Sequence, residues 1–317
     1  MPRVVELAGG VGGAKLAEGL QAAVGADLTV VVNTGDDLER HGLAIWPDHD
    51  TVLYTLAGLD DEVRGWGLAN ETWTAIEALA ALGEDAWFRL GDRDLATHLV
   101  RTERLRRGDR PTAVAVHLRE ALGVAATILP MADEPVRTDV RTDDGWLEFQ
   151  EYFVHRGQAP TVHEVRFRGI ESARATPEVV AALAAAEAIV IAPSNPIVST
   201  GPILALPGIR DALADAHSRG APIVAVSGIV GGRALKGPAD RMLASLGHES
   251  SALGVARLYA GVADRFVLDA VDAELAPAVE ALGFDVLVAD TIMADDAGRE
   301  RVARATLEFA GPFAALR

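Results

Sequence analysis

The chain has no cysteine, which excludes disulfides and thiolate-bound metals and fits a reducing cytoplasm. Lysine is almost missing as well: Lys15 and Lys236 are the only two among 29 basic residues, and arginine supplies the rest. Forty-six acidic residues outnumber these cations, leaving a net charge of −17. That balance argues against nucleic acid or an anionic membrane as partner, because phosphate-rich surfaces call for a basic face. No apolar run approaches the roughly 20 residues of a membrane span. Met1 leads toward a strand-like segment with no basic, signal-type region before it. A soluble, cytoplasmic protein is expected. Half of its 317 residues are apolar, enough for one large α/β domain or a domain carrying an insertion.

What is present begins at the first strand. Residues 4–7 are apolar or β-compatible and run into Ala8-Gly9-Gly10-Val11-Gly12-Gly13-Ala14-Lys15, followed by a helix-compatible stretch. Strand, glycine turn and helix N-terminus together make an anion site, because close backbone N–H groups and the helix dipole both favour negative charge. Gly9, Gly10, Gly12, Gly13 and Lys15 are therefore candidate phosphate ligands.

Residues 28–33 form a continuous β-branched run, the signature of a buried parallel strand, and end in Asn33-Thr34-Gly35-Asp36-Asp37. A third strand candidate, 43–46, ends in Pro47-Asp48-His49-Asp50, with Asp50 or Thr51 as the N-cap of a helix. In an open parallel sheet the ligand sits at the carboxyl ends of the strands. Four carboxylates and a glycine loop then converge on one crevice. A single Asp at such a place is ordinary turn chemistry. Several together beside a phosphate loop suit a hard divalent cation, Mg²⁺, which binds through a few carboxylates and substrate phosphates.

The strand–helix alternation lapses over 71–169. Helical spacing covers 71–82, 94–107 and 111–122, and short β runs follow at 126–130, 136–141, 146–149 and 162–167. This reads as an inserted α+β subdomain. Within it, Trp87, Phe88 and Arg89 precede an Asp-started helix; they either stack a planar ring and hold its polar edge or simply pack the helical unit. The basic run 101–110 reads as a solvated helix face. From 176 onward the alternation resumes, with strands at 188–192, 222–226, 265–268 and 285–288 and a last helix over 297–309. The fold class is thus α/β, a Rossmann-like doubly wound and mainly parallel sheet built from 1–70 and 170–317, with the insertion between them.

Standard phosphate motifs do not fit the first loop. Position 14 is Ala and position 16 Leu, which fails the P-loop pattern, and the third glycine of the dinucleotide fingerprint falls on Lys15. The loops taken together are more telling. AGGVGGAK (8–15), VNTGDD (32–37), PDHDTVLYTLAGL (47–59), FRLGDRDLATHL (88–99), EFQEYFV (148–154), APSNPIVSTGPILA (192–205) and SGIVGGRALKGPADRML (227–243) occur in that order. In this the chain resembles the 2-phospho-L-lactate transferase family of coenzyme F-420 biosynthesis, from residue 4 to about 242 by motif and onward by layout.

The resemblance implies a reaction. The ribityl hydroxyl of the deazaflavin Fo attacks phosphorus of a guanosine diphosphate ester, and GMP leaves. The donor carries a 2-phospho-lactyl group in archaeal members and an enolpyruvyl group in actinobacterial ones, toward which the Arg- and Ala-rich composition leans. It also implies roles: Asp50 as the catalytic base or positioner; Asp50, Arg89, Trp87, Phe88 and His98 around Fo; Asp36, Asp37 and Asp48 on Mg²⁺. Asn33, Ser194, Asn195, Thr200 and Lys236 join the glycine loop around the nucleotide, and a homodimer is the default assembly. The alternative is a non-catalytic regulator of the same superfamily that binds a uridine nucleotide sugar; the segments 88–99 and 148–154 favour the transferase.

Overall fold

The computed structural model describes residues 3–311. Strand β1 (Val4–Ala8) is buried throughout and turns at Gly9 into helix α1 (Gly10–Val24). Strand β2 (Leu28–Val32) pairs parallel with β1. A small hairpin, β3 (Leu38–Arg40) and β4 (Leu43–Ile45), leads to α2 (Pro47–Leu56), and then come α3 (Thr74–Ala81), α4 (Asp94–Arg106) and α5 (Pro111–Ala121). Strand β5 (Thr127–Pro130) precedes an antiparallel sheet of β6 (Arg137–Thr142), β7 (Gly145–Glu148) and β8 (Glu164–Arg168).

The second half alternates helix and strand. It comprises α6 (Pro177–Ala185), β9 (Ala188–Ile191), α7 (Thr200–Ala205), α8 (Ile209–Ser218) and β10 (Ile223–Val226). After the short hairpin β11 (Ile229–Val230) and β12 (Arg233–Ala234) come α9 (Ala239–Ser245), α10 (Ala252–Tyr259) and β13 (Arg265–Asp269). Helix α11 (Ala276–Glu280), β14 (Asp285–Ala289) and α12 (Asp296–Ala310) complete it.

Seven strands form one sheet in the order β14-β13-β10-β9-β1-β2-β5, and every pairing in it is parallel. Both faces are covered. Val4 and Ala8 of β1 belong to the core beneath α1, α2 and α12, while Val5 and Leu7 belong to the core beneath α6, α8 and α10. This is why the strands read as continuous apolar runs rather than alternating ones. The winding reverses between β1 and β9, so the crevice lies at the carboxyl ends of those two strands. Among the described residues no helix is long and apolar enough to cross a membrane.

Three local expectations are corrected. The strand expected over 43–46 forms, as β4, but outside the central sheet: β3 and β4 turn back on each other through His41 and Gly42, both at positive φ, the geometry of a tight two-residue hairpin. Helix α2 begins at least four residues earlier than expected, because Pro47 with its preset φ opens it and Trp46, not Asp50 or Thr51, stands at the cap. Asp48 and Asp50 therefore lie inside its first turn. Finally, β5 is an edge of the main sheet, paired with β2, rather than part of the insertion. It divides the expected 71–169 unit into a helical piece before it and the antiparallel sheet after it.

Candidate active site

The first turn of α2 faces the first turn of α1. A side-chain oxygen of Asp48 lies so near Gly9 that a Cβ there would sit 2.6 Å from it, and the Gly10 N–H donates to the same carboxylate. The dipole of α1 thus faces a carboxylate of the chain itself. Asn33, fully buried just beyond β2, donates to Asp48 Oδ2 at 2.9 Å and to the Val198 carbonyl at 3.2 Å, and accepts from Gly35 N at 2.8 Å. One amide thereby ties the acid turn after β2, helix α2 and the loop after β9 together.

Asp36, Asp37, Asp48 and Asp50 are all buried. Their charges interact, yet the four do not behave alike. Burial, reinforced by the Asp48 charge, holds the Asp36 carboxyl well above its ordinary pKa. Burial does the same to Asp37, against the opposing pull of Arg137 and Arg101. Asp48 is pushed up to about 6, again by burial. Oxygens Asp36 Oδ1 and Asp37 Oδ1 have no hydrogen-bond donor. Crowded, desolvated carboxylates with free lone pairs are what a divalent cation relieves. Among the described residues, however, the ligand atoms of Asp36, Asp37 and Asp48 do not all come within 4.8 Å of one another, so a cation would have to draw the three carboxylates together.

Asp50 is the exception. Burial would raise its pKa too, but the buried Arg101 guanidinium ion-pairs with Oδ1 and holds the carboxyl down at about 2. His49 Nδ1 adds a contact at 3.2 Å, and Oδ2 is left without a donor. Behind the pair, Arg101 reaches His98 Nδ1 at 2.9 Å and the Ala44 carbonyl at 3.2 Å, and its guanidinium lies 4.4 Å from the centre of the Trp46 ring. His98 Nε2 lies 3.3 Å from Asp94, which accepts from the Tyr54 hydroxyl at 2.6 Å. Asp50, Asp94 and His98 bring ligand atoms within 4.8 Å of one another, so this group could also hold a metal ion. The guanidinium already neutralises it, whereas Asp36, Asp37 and Asp48 have no such partner within ion-pair distance among the described residues.

The other expected residues divide clearly. Gly12 and Gly13 serve packing: a Cβ on Gly12 would meet the Pro193 carbonyl at 2.3 Å, and one on Gly13 would meet Ala8 Cβ at 2.8 Å. Only Gly10 has positive φ, 62°, where the chain enters the helix. Ser194 Oγ is engaged with both Gly9 N and Gly9 O. Asn195 Oδ1 accepts from Ile197 N in a tight turn, and the buried Thr200 hydroxyl bonds Tyr259. Lys15 points away from the acids, from the second turn of α1 to the Met293 carbonyl at 2.9 Å, and lines a separate cavity with Lys236. Arg89 stacks on Trp73 at 4.4 Å, and Trp87 stacks on His155 at 4.9 Å with Phe88 edge-on to it. His98 is buried behind Asp50.

The family described as 2-phospho-L-lactate transferase CofD matches residues 4–304. The chain belongs to the CofD family. It is 44% identical to the phosphoenolpyruvate transferase of Streptomyces griseus, across 97% of this chain and 98% of that one. It is 40% identical to the 2-phospho-L-lactate transferase of Methanosarcina mazei, across 92% and 94%. A crystal structure of a UPF0052-family protein from Bacillus halodurans superposes with a TM-score of 0.62, covering 96% of this chain and 98% of that one; at 16% identity it shares the fold. Like its CofD relatives, the chain is an enzyme, a transferase.

Arg101 was the residue missed for this CofD-family site. Read as one of a solvated basic run, it is the most deeply buried charge in α4. A signal existed: Asp94, His98 and Arg101 recur at helical spacing on one face, opposite a carboxylate-rich segment.

Proposed function

We propose that the chain transfers a phosphoenolpyruvyl, or 2-phospho-L-lactyl, group from a guanosine diphosphate ester to the ribityl hydroxyl of Fo. The hydroxyl oxygen bonds to the phosphorus distal to guanosine, the bond to GMP breaks, and the hydroxyl proton is released. The observation that carries this reading is the buried Asp36-Asp37-Asp48 group, beyond the carboxyl end of β2 and in the first turn of α2, where Asp36 Oδ1 and Asp37 Oδ1 lack a donor among the described residues. The activities for which the relatives are named support it. Mg²⁺ on these three residues would neutralise the diphosphate and the departing GMP.

Asp50 serves as an acceptor that orients the nucleophile. Held at about 2, its carboxylate has little affinity for a proton at neutral pH, but the buried Oδ2 carries no donor among the described residues, and its direction is set by the ion pair with Arg101. Phosphoryl transfer through a loose transition state asks mainly for positioning and charge stabilisation. The helical insertion contributes here through α4, which carries Asp94, His98 and Arg101.

The test is mass spectrometry of reactions containing Fo, a donor and Mg²⁺. The two candidate products differ by two hydrogens, so one spectrum identifies the donor. Asp50→Asn should keep the fold and lower turnover by about 10²-fold or more, the size of effect that misplacing a reactant brings. Near-normal turnover would remove Asp50 from the mechanism, and absence of either product would sink the assignment.

A further inference from the structure

The two lysines of this chain meet. Lys15, on α1, and Lys236, in the loop between β12 and α9, line one cavity of about 20 Å³. The Lys236 ammonium reaches the loop between α2 and α3 so closely that a Cβ on Gly65 would sit 2.0 Å from it. Val11 and Thr51 complete the wall, each one residue beyond a member of the acid site, Gly10 and Asp50. The cavity is therefore a direct neighbour of the reaction centre, separated from it by the first turns of α1 and α2.

Its electrostatics are unusual for a chain of net charge −17. Of the two ammonium groups, Lys15 has only a carbonyl acceptor, and Lys236 has no hydrogen-bond or ion-pair partner among the described residues. Their mutual repulsion, after burial and Arg299, lowers the Lys15 pKa. Arg299 shares the wall but is already paired with Glu18, Glu62 and Asp296. Asp60 and Glu62 also line the cavity and offset part of the repulsion at Lys15; the Asp60 carboxyl is raised by burial and Glu62 is engaged by Arg299. Two like charges facing one small space are an unfavourable arrangement until an anion fills it. Space for about one water, by this measure, suits a carboxylate and not a ring.

We propose that the Lys15–Lys236 cavity receives the carboxylate of the donor's three-carbon acid, next to the metal-held diphosphate. This rests on the proposed transferase reading. It makes the two lysines specificity residues: they select a phosphate ester that carries an acid over one that does not. Binding the carboxylate also joins the β12–α9 loop to α1, closing the site from that side.

The emission of Trp66, which is 43% exposed and lines the same cavity, provides the readout, with Trp66→Phe as control. The full chain is titrated with phosphoenolpyruvate, with ethyl phosphate, which lacks the carboxylate, and with GDP. We expect wild type to bind phosphoenolpyruvate at least about tenfold more tightly than ethyl phosphate, the scale of a charged hydrogen bond. Lys15→Met and Lys236→Met should each erase that preference and leave GDP affinity within about twofold. No preference in wild type, or a preference that survives both substitutions, overturns the proposal. Equal weakening of all three ligands also overturns it, assigning the lysines to phosphate instead. Failure of wild type to bind GDP would sink the transferase reading, while the comparison of the two small phosphates still judges the cavity. Lys236→Glu, in an exposed loop that the fold does not depend on, keeps the test open should Lys15→Met unfold.

Discussion

Arg101→Met is the most informative perturbation, because it removes a charge and little volume. The guanidinium is fully buried and holds Asp50, His98 and the Ala44 carbonyl while lying over Trp46. At about 4 Å and an effective dielectric of about 20, a unit ion pair is worth about 4 kcal/mol. Removing one partner of a buried pair costs roughly 3–5 kcal/mol, since the other charge stays behind without water. Unfolding entropy of about 2.1 cal/mol/K per residue, over 317 residues, comes to about 0.7 kcal/mol/K. A loss of about 4 kcal/mol thus lowers Tm by about 6 °C. Asp50 would no longer be held near 2, and burial would drive its pKa upward. Adding Asp50→Asn to Arg101→Met removes the stranded charge and should restore part of the lost stability. Thermal and urea unfolding of both single variants and the double variant make the comparison. If Arg101→Met costs under about 1 kcal/mol, or Asp50→Asn deepens its loss, the buried pair does not organise the site.

Other expectations follow from the same geometry. Glu6 is fully buried in β1 with neither carboxylate oxygen bonded, and burial raises its pKa well above the ordinary value. It stays neutral at low pH, so stability should fall as pH rises through its folded value, and Glu6→Gln should flatten urea midpoints across that range. Mg²⁺ at about 100 times its Kd should stabilise wild type by about 2.7 kcal/mol, about 4 °C in Tm. Asp48→Asn and Asp36→Asn should lose that shift; if they keep it, the metal lies elsewhere, with Asp50, Asp94 and His98 the next group to examine. Gly12→Ala would drive a methyl toward the Pro193 carbonyl and should cost roughly 1–3 kcal/mol, read by denaturant unfolding. A neutral effect would mean that the loop after β9 yields freely.

Much of the fold was legible because two-sided burial leaves a mark in one dimension. The runs at 28–33, 188–192 and 222–226 are continuous and β-branched because helices cover both faces of their strands. The strand at 126–130 carried the same mark in weaker form. Set among short strands and turns, it was grouped with the antiparallel sheet, and only its pairing with β2 shows otherwise. The acids were legible as strand-end residues. That Asp48 and Asp50 lie in a helical turn came from Pro47, whose preset φ opens α2 ahead of them.

By itself, the sequence determined the parallel α/β core, the family and the set of acids at its crevice. Each of these is written in local pattern: apolar period, glycine turns and carboxylates at strand ends. Only the tertiary structure decided how those acids divide. Arg101 comes from a helix some fifty residues along the chain from Asp50, and its charge makes that carboxylate a fixed anion while Asp36, Asp37 and Asp48 remain crowded and unpaired. The tertiary structure likewise turned the glycine loop toward Asp48 and brought Lys15 to Lys236. Electrostatic partners are set by distance in space, and residue order carries no record of that distance until the chain is packed.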